Sequence, residues 1–375
     1  MDAKLYEEFV AQMKEQEANI KEIEDGDEKP CSEIVLKIRE WLDSTAFNSF
    51  CQEITKEVIG QEETKKILAN IYNFLECIAY GKRHNNNMLL AAPSGCGKTQ
   101  TYRALKKYFK EQIQGLSISQ VDMTSVTEEG FKGKNTSDVV ADLFNRPKDN
   151  GVGIVFMDEF DKKLIPSFSG KGSDVNAAVQ NQILTLIEGR KIRPYNDKIP
   201  VEIDTNNTLF IGLGSFDSCR EKKQIVVHHM GFGQENEDGE DHYTEITRED
   251  MISLGGSYEL IGRFSMIINY HKLDRAAVEK IIDKALAEEI ENIECDIELS
   301  DTMRQHLFDN SNSKYGCRLL KSIIHDNVMD GYLQLLENDC ILKNCKIVIE
   351  DNGEAYAVSK VTGKTFESVE ESLDA

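Results

Sequence analysis

The sequence predicts an α/β protein in which a parallel sheet is flanked by helices, followed by a smaller, mainly helical C-terminal domain. Continuous apolar runs at residues 87–91, 154–158 and 209–213 are typical of strands that are buried on both faces of a parallel sheet. Helix-like segments lie between these runs, as at residues 175–189. This alternation of strands and helices favours an α/β domain.

The pattern changes after residue 268. Asp274 is expected to cap a long helix, and a later helix places Leu320, Ile324 and Val328 on one face. Two short strand candidates, CKIVIE and AYAVS, follow. We therefore expect a helical N-terminal extension at 1–50, a large α/β domain at 51–268, a small domain at 269–360 and a polar tail at 361–375.

Composition narrows the choice of partner and compartment. The chain of 375 residues has a net charge of −22, which argues against nucleic acid because phosphate backbones bind lysine and arginine. No apolar run approaches the roughly 18 residues that a membrane span needs, and the polar N-terminus lacks a signal-peptide core. The nine cysteines form no C-x-x-C pair, so we expect reduced thiols, no structural zinc and a cytoplasmic location.

The stretch LLAAPSGCGKTQ has the pattern of a loop that binds nucleotide phosphates. Its glycines let backbone N–H groups face the phosphates at the positive end of the following helix. Lys98 is expected to reach the β- and γ-phosphates, and Thr99 to bind Mg²⁺. Ala92 replaces the first glycine, which is tolerable if its φ is negative. The predicted nucleotide contacts are Pro93, Ser94, Gly95, Cys96, Gly97, Lys98, Thr99 and Gln100.

A second element of the site is GIVFMDEFDK, in which an apolar strand ends in two acids. The carboxyl ends of strands are where an open α/β sheet binds its ligands. Asp158 is expected to support Mg²⁺, and Glu159 to orient and activate the attacking water. Two acids at a strand end are usually only solvated, but together with the phosphate-binding loop they favour nucleotide hydrolysis.

These motifs resemble those of the AAA+ ATPases of the Clp class, in particular the ClpX protein unfoldases, with HslU as a more distant relative. The similarity runs from about Glu57 to about Leu336. It implies that 51–268 is a large ATP-binding domain and 269–360 its small lid domain. It also implies that ATP and Mg²⁺ are the cofactors, and that the chain forms a homo-hexameric ring that unfolds protein substrates and threads them through a central pore.

The resemblance assigns further residues to the nucleotide. Val58 and Ile59, in VIGQEETKKILA, are at the positions that contact the adenine base. Ser215 is at the polar sensor position after the strand TLFIGLG. Arg263, in LIGRF, is at the position of the arginine finger that reaches a neighbouring subunit's nucleotide, and Arg318, in YGCRLLKS, is at that of the second sensor. An arginine supplied in trans accelerates phosphoryl transfer by about 10³ to 10⁵.

Two loops are expected to contact other proteins. The quartet Gly130-Phe131-Lys132-Gly133 resembles the pore loop that grips polypeptide, with lysine in place of the usual hydrophobic residue. Phe131 could pack against any chain, because dispersion contacts require no particular sequence. Met230-Gly231-Phe232 resembles the tripeptide that docks ClpX into the peptidase ClpP. A turn that binds nothing is an equally open interpretation of this tripeptide.

The chain departs from the ClpX pattern in two places, and two functions stay open. It has only Cys31 where ClpX has a zinc domain, and the segment 190–204 lacks the basic run at the pore entrance. Substrate choice is therefore open. The first function is a hexameric unfoldase, and the second is an ATP-gated switch or assembly protein with slow hydrolysis. A nucleic-acid motor is disfavoured by the charge.

Overall fold

The structure is a computed structural model of the chain. It describes residues 32–127, 135–170, 172–193, 202–220, 244–291, 296–311, 316–338, 345–351 and 353–366. Among the helices in these ranges, none combines the length and the apolar composition that a bilayer crossing requires.

A parallel sheet forms the centre of the N-terminal two thirds of the chain. Its strands are β1 (Met88–Ala91), β2 (Ser117–Asp122), β3 (Gly153–Asp158), β6 (Thr208–Gly214) and β7 (Met266–Asn269), whereas β4 (Lys191–Ile192) and β5 (Ile203–Asp204) form a separate antiparallel pair. The order in the sheet is β2-β3-β6-β1-β7, and every pairing is parallel. The three predicted apolar strands are β1, β3 and β6, and the predicted fold class is confirmed.

The sheet separates two apolar cores. Successive side chains of a strand point to opposite faces, so Ile154 and Phe156 of β3 enter the first core, while Val155 and Met157 enter the second. All four side chains are fully buried. This explains why the strands are continuous apolar runs and do not alternate with polar residues.

Helices cover both faces of the sheet. The first core is covered by α1 (Glu33–Ser44), α2 (Phe47–Glu57), α3 (Thr64–Ala79) and α4 (Lys98–Gln112). The second core is covered by α5 (Ala141–Phe144), α6 (Val175–Ile187), α7 (Arg248–Leu254) and α8 (Tyr258–Gly262).

Helices α1 and α2 belong to the first core. Trp41 of α1 meets Phe50 and Phe109 edge-on, with ring centroids 5.4 and 5.5 Å apart. Its indole N–H donates to the Tyr108 hydroxyl at 3.3 Å. The boundary expected between residues 50 and 51 falls inside α2. We therefore propose that the large domain begins at α1.

A third apolar core follows the sheet. Around it lie α9 (Arg275–Ile290), α10 (Asp301–Ser311) and α11 (Leu320–Glu337), together with β8 (Asp296–Leu299), β9 (Cys345–Ile349), β10 (Ala355–Ser359) and β11 (Thr365–Phe366). Asp274 caps α9 as predicted, accepting the Ala277 N–H at 2.7 Å. The two predicted strands are β9 and β10, whereas β8 and β11 were missed. Exposed and buried residues alternate in β8, and β11 has two residues, so neither forms an apolar run.

Candidate nucleotide-binding site

The loop between β1 and α4 has the backbone that phosphate binding requires. Gly95 and Gly97 have φ values of 77° and 97°, which an L-residue rarely adopts. Ala92 is not among the described residues with positive φ, so its backbone meets the condition set for an alanine at this position. Its methyl is fully buried in the first core, and its N–H donates to the Gly214 carbonyl at 3.0 Å. Ala92 therefore extends the sheet by one residue before the loop turns.

Lys98 stands at the start of α4 with its ammonium turned back into the loop. Its Nζ donates to the carbonyl oxygens of Ala92 and, at 3.2 Å, of Pro93. Burial lowers the pKa of Lys98, and nearby negative groups, Asp161 and Glu159 among them, oppose that shift. Because its described partners are neutral carbonyls, this cation can exchange them for phosphate oxygens.

Asp158 and Glu159 lie at the carboxyl end of β3. Asp158 accepts the Gln120 side-chain amide at 2.6 Å and the Glu159 N–H at 3.0 Å. Glu159 has a φ of 55° and is followed by a short 3₁₀ helix, Phe160–Lys163. Burial, reinforced by the charge of Asp161, raises the pKa of Glu159. Because β3 and β1 both run parallel to β6, which lies between them, the acids and the phosphate-binding loop leave the same edge of the sheet.

Ser215 follows β6 at the same edge of the sheet. Its hydroxyl lies 3.5 Å from Asp161 Oδ2, and its carbonyl accepts the Arg220 Nε–H at 3.2 Å. The next residue, Phe216, is buried with a φ of 54°. The candidate sensor is therefore held between two charged side chains.

A cleft of about 560 Å³ opens beside the phosphate-binding loop, and it is lined by residues from two separate parts of the chain, 57–103 and 273–321. Nine of the predicted nucleotide contacts meet here: Val58, Ile59, Gly95, Cys96, Gly97, Lys98, Thr99, Gln100 and Arg318. Within the described part of the chain, Pro93, Ser94, Asp158, Glu159, Ser215 and Arg263 are not among the lining residues.

Several lining residues were not predicted, and the largest group of them, four residues, comes from α9. Ile281, Ala285 and Glu288 lie at helical spacing on one face, with Lys284 beside them. The spacing could have shown that these residues share a face, but not that the face borders a cleft. Lys284 forms an ion pair with Glu57, and Lys321 forms one with Glu288.

Gln61 was also missed, although it stands in the quoted segment VIGQEETKKILA. It is buried, and its amide donates to the Cys96 carbonyl at 3.3 Å and to the His271 carbonyl at 2.8 Å. Its side-chain oxygen accepts the His271 N–H at 3.1 Å. Gln61 therefore ties the phosphate-binding loop to the segment that leads into α9.

Gly316 brings the C-terminal part of the chain against the loop. Its φ is 55°, and a Cβ atom there would lie 2.6 Å from the Ser94 carbonyl oxygen and 3.1 Å from the Gly95 Cα. Only glycine combines that conformation with so close an approach. The contact places Cys317 and Arg318 in the cleft.

Arg263 lies at the C-terminal end of α8, and half of its side chain is exposed. One guanidinium nitrogen lies 2.5 Å from a carboxylate oxygen of Glu188, the residue that follows α6. Five other predicted residues, Phe131 and Lys132 of the pore loop and the tripeptide Met230-Gly231-Phe232, lie outside the described residues.

Comparison with known proteins agrees with this arrangement. Residues 83–267 match the family described as AAA domain (Cdc48 subfamily). That segment begins before β1 and ends within β7, so it contains the whole parallel sheet up to its last strand.

The chain is also similar to proteins named ATP-dependent Clp protease ATP-binding subunit ClpX. The protein of Porphyromonas gingivalis is 25% identical over 79% of this chain and 76% of its own length. That of Bacteroides thetaiotaomicron is 26% identical over 74% of both chains. That of Treponema denticola is 28% identical over 60% of both chains.

Proposed function

Because this chain is a ClpX-like AAA+ protein, we propose that it is an ATP-dependent unfoldase that acts on other proteins as a hexameric ring. The observation that carries the proposal is the cleft, where Val58, Lys98 and Arg318 converge from three distant parts of the sequence. Its volume of about 560 Å³ is in the range of small-ligand sites.

The phosphates of ATP bind at the N-terminus of α4. Backbone N–H groups of residues 94–99 face them, and the helix dipole favours their charge. Lys98 exchanges the Ala92 and Pro93 carbonyls for phosphate oxygens. Val58 and Ile59 border the adenine base, and Arg318 reaches the nucleotide from the C-terminal wall of the cleft.

The residues present suit a magnesium ion. Mg²⁺ binds oxygen ligands and usually takes only one or two from protein side chains, the rest coming from water and phosphate. Thr99 offers a hydroxyl at the start of α4, and Asp158 a carboxylate at the end of β3. When bound, the ion neutralises charge on the phosphates. Asp158 is held in place by Gln120 and by the Glu159 N–H.

Glu159 acts as the general base that orients the attacking water. A general base works best when its pKa lies near the working pH. Burial raises the pKa of Glu159 from its ordinary value toward that range. Ser215 stands on the neighbouring strand end, where a hydroxyl can contact the water or the γ-phosphate. The two side chains therefore serve one reacting centre from two strands.

Arg263 supplies charge to the nucleotide of a neighbouring subunit. In its own chain it is turned toward Glu188 and is not among the described residues that line the cleft. An exposed arginine between α8 and the start of β7 is suited to act in trans, which requires a ring of identical subunits. The ClpX relatives support this assembly by similarity.

The energy of hydrolysis is spent on pulling polypeptide. Unfolding a domain costs about 5 to 15 kcal/mol. Phe131 grips the chain in the pore, Lys132 favours acidic segments, and Met230-Gly231-Phe232 docks a ClpP-type peptidase. We place the protein in the cytoplasm, without a membrane or nucleic-acid partner, because of its composition.

The test measures ATPase rate and loss of a folded reporter's fluorescence side by side. Wild-type protein should hydrolyse ATP and unfold the reporter. Glu159→Gln should bind ATP without turnover, and Phe131→Ala should hydrolyse ATP at a near-normal rate but unfold far more slowly. Phe131→Tyr keeps the ring and should retain unfolding. Slow hydrolysis that ignores unfolded protein would identify an ATP-gated switch instead.

A further inference from the structure

Asp161 is a buried acid near the catalytic edge that the motifs above leave without a role. It lies three residues after Asp158, on the 3₁₀ helix Phe160–Lys163. Only 2% of it is exposed. Acids are rarely buried to this degree unless they are paired or hydrogen-bonded, so its contacts are informative.

The carboxylate of Asp161 joins two strand ends. Its Oδ2 accepts the Phe216 N–H at 3.1 Å and lies 3.5 Å from the Ser215 hydroxyl. The ammonium of Lys162, whose side chain is partly exposed, forms an ion pair with the same oxygen at 3.4 Å. The segment after β3, which carries Glu159, is thereby fastened to the segment after β6, which carries Ser215.

The space around this contact is closely filled. A Cβ atom on Gly214 would lie 3.0 Å from both Cβ and Oδ1 of Asp161. Gly214 is the last residue of β6, so the absence of a side chain there lets the acid reach the following turn. The contact between the two segments therefore depends on a glycine as well as on the carboxylate.

Backbone conformation on both sides of Asp161 points the same way. Among the described residues, Glu159 and Phe216 are two of only three non-glycine residues with positive φ, at 55° and 54°. Such conformations persist where the surroundings hold them, and they cluster at functional sites. One lies two residues before Asp161, and the other donates its N–H to the Asp161 carboxylate.

The second carboxylate oxygen of Asp161, Oδ1, is buried, and it has no hydrogen-bond partner among the described residues. An acid needed only for folding would be expected to have both oxygens satisfied.

We propose that Asp161 is a positioning residue that fixes the turn carrying Glu159 to the turn carrying Ser215, so that base and sensor keep one spacing around the γ-phosphate. This inference rests on the proposed ATPase function. A misplacement of about 1 Å can cost about 100-fold in rate. Asp161 therefore affects the rate of hydrolysis much more than the binding of nucleotide.

The experiment compares Asp161→Ala and Asp161→Asn with wild type in the full-length protein. Asp161→Ala should lower kcat by about 100-fold, while the Kd of a non-hydrolysable ATP analogue changes less than about threefold. Asp161→Asn keeps an acceptor for the Phe216 N–H and should recover part of the rate. Asp204→Ala is the matched control, because Asp204 caps the short turn Thr205–Asn207 just before β6, at the opposite end of that strand from Ser215. It should lower the melting temperature without lowering kcat.

A double-substitution cycle separates positioning from general damage. If Asp161 acts through the sensor turn, combining Asp161→Asn with Ser215→Ala should cost less than the product of the two single losses. Multiplicative losses, an unchanged kcat, or a Kd that worsens as much as kcat falls would overturn the inference. Absence of ATP turnover in the wild type would instead overturn the proposed function. Asp161→Asn carries the test if the alanine variant does not fold.

Discussion

The two walls of the nucleotide cleft are held in different ways. On the wall formed by the phosphate-binding loop and the first core, buried hydrogen bonds tie the loop in place, as at Gln61 and at the Tyr270 hydroxyl. On the wall formed by α9 and the start of α11, half-exposed ion pairs predominate, as at Lys284 and Lys321. Buried hydrogen bonds are costly to break, whereas exposed ion pairs contribute about 0–1 kcal/mol.

This difference indicates that the phosphate-binding loop, residues 92–99, is a fixed cradle, whereas the wall formed by α9 and the start of α11 is adjustable. Under the proposed function, the cradle would present N–H groups and the Lys98 ammonium to the phosphates in one geometry, which preorganisation provides. The other wall would admit and release a nucleotide in every cycle, and weak contacts allow that. Gly316 is the exception, since its backbone fits tightly against the loop.

The largest effect is expected in the cradle, from Lys98→Ala. Truncating one partner of a buried charge pair costs about 2–5 kcal/mol, so ATP binding should weaken by about 30-fold or more. Lys107→Ala is the control on the same helix, because that side chain is largely exposed and is not among the described lining residues. Titration of a fluorescent ATP analogue gives both affinities. Equal affinities for the two variants would show that Lys98 is not the phosphate ligand.

The next effect concerns the contact between the walls, tested by Gly316→Ala. A left-handed φ costs an L-residue about 1–2 kcal/mol, and the new methyl would also press on the Ser94 carbonyl. We expect nucleotide affinity to fall about tenfold or more because Arg318 is displaced. Gly363→Ala is the matched control, since Gly363 has a φ of 73° and open space around it. If both variants bind alike, the close approach has no role in binding.

The part of the site that the sequence could predict is the cradle, and the part that it could not predict consists of contacts between distant residues. The cradle residues are contiguous in one motif, so their grouping in space follows from the loop itself. Gln61 bonds to His271, 210 residues away, and Asp161 to Phe216, 55 residues away. Local patterns carry no signal for such pairs. Likewise, Ile281 and Ala285 have the spacing of any amphipathic helix, and only the folded chain shows which part of their face borders the cleft.

The fold shows the same limit. β1, β3 and β6 are buried on both faces, so each is a continuous apolar run that a sequence reveals. β8 is half exposed and only four residues long, and its neighbour β9 supplies the pairing that makes it a strand. Its identity therefore depends on tertiary contacts and not on its own composition.

A smaller effect is expected from Tyr270→Phe, on the cradle side. The buried Tyr270 hydroxyl lies 2.9 Å from Thr64 Oγ1 and 2.8 Å from Thr101 Oγ1, and burial raises its pKa to about 12. Removing the hydroxyl should lower the free energy of unfolding by about 1 kcal/mol. Tyr258→Phe changes an exposed ring and should stay within about 0.5 kcal/mol of wild type. Denaturant unfolding without nucleotide measures both, and equal stabilities would mean that the pair of bonds contributes nothing.

The smallest effect is expected on the adjustable wall, from Lys284→Met. Glu57 contacts Lys284 of α9 and, at 3.4 Å, Lys107 of α4, so one carboxylate has one partner on each side of the cleft. The Lys284 ammonium is the main cause that lowers the pKa of Glu57. Because both side chains are partly exposed, stability should change by about 1 kcal/mol or less.

The measurement is the release rate of a fluorescent nucleotide at low and high salt. One kilocalorie per mole corresponds to about fivefold, so Lys284→Met should release nucleotide up to about fivefold faster at low salt. Lys107→Met removes the partner that lies on the same side of the cleft as Glu57 and should leave release unchanged. High salt screens exposed pairs, so it should bring wild type and Lys284→Met together. A salt-independent change, or one of about 100-fold, would mean that this wall is fixed as firmly as the cradle, and the contrast between the two walls would fail.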